Sequence, residues 1–119
     1  ANLHKELGEL YLALGQHADA IRDFADYCKR SGIELYVVIF PMLTAVEDSL
    51  PITSKVAACF GEMGVDVIDL VEVLRDRPAE ALVVNSVNAH PNAAVHHEVA
   101  ALLDAFLREH SSLLRPAAP

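Results

Sequence analysis

The chain has 119 residues, 53% of them hydrophobic, with 17 acidic against 9 basic side chains and a formal net charge of -8. That length allows one domain of ordinary size, and the acidic balance without a basic cluster argues against nucleic acid and against anionic membrane surfaces. The longest apolar run, from Leu35 to Leu43, is too short to cross a bilayer.

Residues 2–14 carry Leu3, Leu7, Leu10, Tyr11 and Leu14 at helical spacing, and Gly15 interrupts the stripe. Residues 17–31 place Ile21, Phe24, Ala25 and Cys28 on one face, and Gly32 is a natural stop. Together, residues 1–31 read as a helical hairpin packing on the same domain. Leu7, Gly8, Tyr11, Ala20 and Phe24 resemble a single tetratricopeptide repeat.

Ile33 to Phe40 is β-branched and aromatic and ends at Pro41, as a strand buried on both faces would. Residues 42–50 read as a loop in which Asp48 or Ser49 caps a helix starting near Pro51. Val56, Cys59, Phe60 and Met63 line one face of that helix, and Gly64 ends it. Val65 to Leu70 reads as a second strand. One or two helical turns follow over residues 71–77, closed by Pro78. Ala81 to Val84 reads as a minor strand or extended loop.

The last helix spans residues 92–109, with Val95, Val99, Leu102, Leu103 and Phe106 inward, and residues 111–119 read as a disordered tail. Cys28 and Cys59 fall on apolar faces, as buried thiols do. From Ala1 onward the sequence shows no basic n-region followed by an apolar h-region, so no signal peptide is read and the default compartment is cytoplasmic.

The order helix, helix, strand, helix, strand, helix predicts an α/β fold with a short parallel sheet and an N-terminal helical hairpin. Two strands make a poor sheet. An open edge at Val37, Val38 and Ile39 invites pairing with another chain, either a homodimer partner or a missing N-terminal half.

The chemically suggestive stretch is Asn88-Ala89-His90-Pro91-Asn92. Pro91 suits a first helical turn, and either Asn88 or Asn92 can cap it. His90 then sits on the loop entering the last helix, free to face a cleft and act as a general base near neutral pH. His90, His96, His97 and Glu98 lack the spacing of two imidazoles on one helix face, so no metal is expected. On the apolar stripe, His97 faces solvent and His96 flanks the core.

This stretch, continued by His96 and Ala100, resembles the last conserved block of the SGNH/GDSL ester hydrolases. There the pattern is Asp, one or two further residues, then His-Pro-Asn, often followed by Gly-His. Here Asn88 occupies the Asp position and Val95 the Gly position. The resemblance extends to the strand ending at Pro41 and to the strand Val65 to Leu70. It implies that residues 32–110 are the C-terminal half of a flavodoxin-like, three-layer α/β/α domain.

By that resemblance, His90 is the general base and Asn88 stands where its carboxylate partner belongs. The resemblance implies a small acyl ester as substrate class, turned over without metal or organic cofactor. The family's Gly-Asp-Ser nucleophile block and its two oxyanion-hole blocks have no counterpart in the sequence. Glu47-Asp48-Ser49-Leu50 is similar to Gly-Asp-Ser-Leu, but it lacks the glycine for the tight turn and does not directly follow its strand. In serine proteases an Asp-to-Asn change at the triad costs about 10⁴ in rate. The resemblance therefore implies a chain inactive by itself. The alternative is a non-catalytic interaction or dimerisation module built on the hairpin and the open strand edge.

Overall fold

The computed structural model describes residues 18–114. The first hairpin helix, its tetratricopeptide-like positions up to Tyr11, and the tail beyond Leu114 lie outside the described residues. Helix α1 covers residues 18–30, strand β1 Tyr36–Ile39, helix α2 Val46–Glu62 and strand β2 Asp66–Asp69. A short helix α3, Val71–Leu74, a 3-10 turn, Ala79–Ala81, and helix α4, Ala93–His110, complete the order. β1 and β2 pair in parallel, with Tyr36 opposite Asp66 and Ile39 opposite Asp69. The fold is thus mixed α/β, as the alternation implies.

The chain divides between Arg75 and Asp76 into two compact units. In the first unit, α1 and α2 end alike. Ile33 N–H donates to Cys28 O (2.8 Å) and Gly32 N–H to Lys29 O, while Val65 N–H donates to Phe60 O (3.1 Å) and Gly64 N–H to Gly61 O. Both are closures in which a left-handed residue satisfies the last carbonyls. Gly32 and Gly64 hold it at φ 69° and 73°, a conformation that penalises a side chain. These two glycines turn each helix directly into its strand.

α2 packs on β2 and α3, and Leu70, Val71 and Leu74 are completely buried. Arg75 forks onto Glu47, with Nε to Oε1 at 2.8 Å and a terminal nitrogen to Oε2 at 3.1 Å. That contact holds the Glu47 carboxyl below the usual glutamate range and raises the guanidinium.

Three local expectations are corrected in this unit. α2 starts five residues before Pro51, which lies inside the helix. Leu43 and Val46 are buried, and the Met42–Ala45 turn (Ala45 N–H to Met42 O, 2.9 Å) launches the helix early. Ser49 is therefore buried one turn in, and no side chain caps Ala45. β1 is half-buried at all four positions instead of enclosed on both faces, because the described sheet has only two strands. Phe24, expected inward on α1, is 56% exposed, and Ala25 and Cys28 form the buried stripe.

In the second unit, Leu82, Val95 and Val99 supply the core. Ala81 to Val84, expected to be a minor strand or extended loop, makes a single antiparallel bridge, Val83 to Pro91. Arg77 forks onto Glu98 of α4 through both guanidinium nitrogens. The paired guanidinium holds the Glu98 carboxyl below its usual range.

Candidate active site

His90 is carried by a short loop closed at its base by backbone bonds. Val84 N–H donates to His90 O (3.0 Å) and Asn92 N–H to Leu82 O (2.8 Å). These two bonds flank the Val83–Pro91 bridge and turn residues 84–90 into a hairpin-like excursion; Pro91 thus lies just before the Asn92 cap, in the bridge and not in the first turn of α4 as expected.

Of the two candidate caps, Asn92 is the one used. Its Oδ1 accepts the Val95 N–H (3.0 Å), and its Nδ2 donates to Ala81 O (2.9 Å) and Val83 O (3.5 Å). One side chain thus satisfies a helix N–H and ties the helix back to the segment leading into the loop.

Inside the loop, Asn85 Oδ1 accepts the N–H groups of Val87 (2.9 Å) and Asn88 (2.8 Å). This bracing role was not legible in the catalytic pattern, although Asn side chains commonly bond the backbone two residues ahead in turns.

Asn88 and His90 are brought together. Asn88 Oδ1 accepts the His90 backbone N–H at 3.1 Å and stands 2.6 Å from His90 Nδ1. The backbone bond fixes which end of the amide faces the ring, because only the oxygen accepts. The ring contact is therefore an Nδ1–H donating to Oδ1. A neutral imidazole so held keeps its lone pair on Nε2, the state a general base requires. Asn88 supplies orientation but no charge.

His90 is exposed, not recessed in a cleft. A cavity in the first unit, about 520 Å³, is lined by Ala25, Cys28, Ile33, Leu35, Met63 and Val65 among others, and His90 is not part of it. Ser86, the loop serine nearest in sequence, is exposed. Ser49 is occupied structurally: its Oγ donates to Ala45 O (3.0 Å) and accepts the Met42 N–H (2.9 Å).

His96, expected beside the core, is exposed like His97, because Val95 and Val99 alone define the buried edge of that turn. Among the described residues no three His, Cys, Asp or Glu side chains converge as metal ligands. Comparison with family models, with curated proteins and with solved structures gives no match for this chain.

Proposed function

We propose that the chain supplies the general-base loop of an SGNH-type serine ester hydrolase, with His90 as base and Asn88 as its neutral orienting partner. The observation that carries the reading is the 2.6 Å contact between His90 Nδ1 and Asn88 Oδ1. It reproduces the geometry of a base held by its neighbour, two residues apart in sequence, at the mouth of the last helix. The substrate class is a small acyl ester, and the parent reaction is acyl transfer through a covalent serine.

By itself the chain is inactive in that cycle. No serine among the described residues hydrogen-bonds His90, and Ser49 Oγ is committed to the backbone. The nucleophile then comes from polypeptide outside these residues.

The test has two arms. A fluorophosphonate probe, which reacts with activated serines, leaves the folded chain unlabelled. Hydrolysis of an activated aryl acetate, with water as acceptor, depends on His90 and rises roughly tenfold in Asn88→Asp, a modest share of what a positioned base contributes. A stoichiometric adduct on Ser49 would place the nucleophile in this chain. An unchanged rate in both His90→Ala and Asn88→Asp would remove His90 from the chemistry.

A second reading, an interaction module, draws support from the two-stranded sheet, whose strands, among the described residues, each keep one open edge. A single mass across a wide concentration range would count against it.

A further inference from the structure

We propose that Asn88 is a self-modification site: the Ala89 backbone nitrogen attacks the Asn88 side-chain amide, and the outcome is a carboxylate beside His90. The inference rests on the His90–Asn88 pair described above and names a way in which that pair is altered.

Several features of the loop converge on this amide. Asn88 and Ala89 are exposed. Among the described residues, neither the Ala89 N–H nor the Asn88 Nδ2 amide has a hydrogen-bonding partner. The attacking nitrogen and the leaving amine are thus unrestrained, and Ala89 puts only a methyl group beside the attack. Meanwhile Asn88 Oδ1 receives two N–H donors, from the His90 backbone (3.1 Å) and from the ring (2.6 Å). Negative charge develops on that oxygen when the amide carbon becomes tetrahedral. Donors already aimed at it stabilise the transition state, and the imidazole can also lend its proton.

The chemistry balances with water alone. Ala89 N–H loses its proton to solvent base, and its nitrogen bonds to Asn88 Cγ. The Cγ–Nδ2 bond breaks, and Nδ2 leaves as ammonia with a proton from solvent. Water then opens the resulting five-membered imide at either carbonyl, leaving aspartate or isoaspartate at position 88. One water enters, one ammonia departs, and nothing is oxidised or reduced.

The sequence offers internal controls, since it has four asparagines. Asn92 is held through both ends of its amide by Val95, Ala81 and Val83. Asn85 has two backbone donors on its oxygen but no imidazole. The conversion bears directly on the proposed site: if aspartate at position 88 raises aryl acetate hydrolysis roughly tenfold, conversion of about one tenth of the chains to aspartate would nearly double the rate measured.

The experiment incubates the folded 119-residue chain in mildly alkaline buffer and maps peptides by mass spectrometry over time. Position 88 should convert at least about tenfold faster than position 92. In His90→Ala, position 88 should slow by at least about tenfold, less than the roughly 10²–10⁴ that a positioned proton-transfer group contributes, while position 85 keeps its rate. The wild-type chain in urea gives a second readout that needs no variant: unfolding removes the His90 donors, and position 88 should slow.

The proposal is overturned if Asn88 converts no faster than Asn92. It is equally overturned if positions 85 and 88 slow together in His90→Ala, or if urea leaves the rate at 88 unchanged. The Asn88→Asp variant tests the hydrolase reading separately, because its carboxylate is already in place.

Discussion

Replacing Asn92 with alanine separates the scaffold of the site from its chemistry. Asn92 makes three side-chain contacts. Losing the bond to the Val95 N–H removes the cap of α4, at a cost of about 1 kcal/mol. Losing the 2.9 Å bond to Ala81 O costs about 1 kcal/mol more. The 3.5 Å contact to Val83 O lies at the limit of a hydrogen bond and is counted as nothing. The sum, about 2 kcal/mol, lowers the folded-to-unfolded ratio roughly 30-fold. Asn92→Ser keeps an acceptor for Val95 N–H but no donor for Ala81, and should lose only about half as much. Urea denaturation followed by circular dichroism reads both variants, and amide exchange at Val95 reports whether the first turn of α4 has opened. The reasoning is refuted if Asn92→Ala falls within about 0.5 kcal/mol of wild type, the range of neutral surface changes. It also fails if the serine and alanine variants are equally destabilised.

Ser49→Ala should act on stability and not on chemistry: the Met42 N–H loses its acceptor, at a cost of about 1–3 kcal/mol, which a denaturation midpoint measures. Leu82, fully buried, should cost about 2–5 kcal/mol as Leu82→Ala, read the same way. Glu47 and Glu98 have folded pKa values depressed by Arg75 and Arg77. Their contribution is therefore present above the unfolded glutamate pKa and lost as pH falls through the lower folded value. The difference in midpoint between wild type and Glu98→Gln should accordingly close on acidification below the usual glutamate range. High salt should shrink it as well, since the pair is solvated.

The backbone punctuation of this fold was legible from sequence because it rests on local conformational cost. Gly32 and Gly64 end α1 and α2 where expected, each at positive φ. The apolar period of α4 follows from Val95, Val99 and their successors. The start of α2 was misjudged because Pro51 suggests a first turn, whereas the burial of Leu43 and Val46 is decided by tertiary packing. The enclosure of β1 was overestimated for a related reason. A uniformly apolar strand signals capacity for burial, but how much is buried depends on how many neighbours the sheet provides.

At the site, Asn92 as cap and the proximity of Asn88 to His90 were within reach of sequence, because both involve partners two or three residues apart. The Nδ2 bonds from Asn92 to Ala81 and Val83 were not, since they span 11 and 9 residues and depend on the Val83–Pro91 closure. The brace from Asn85 is local, but it carries no catalytic pattern that would single it out.

The central claim is that Asn88 orients His90 with Nδ1 protonated and Nε2 available. Long-range ¹H–¹⁵N correlation of the His90 ring in freshly prepared protein, in mildly alkaline buffer, tests this directly. The account predicts the Nδ1–H tautomer in the wild type and its loss in Asn88→Ala. A wild-type ring protonated at Nε2, or a tautomer indifferent to the Asn88→Ala change, would contradict it.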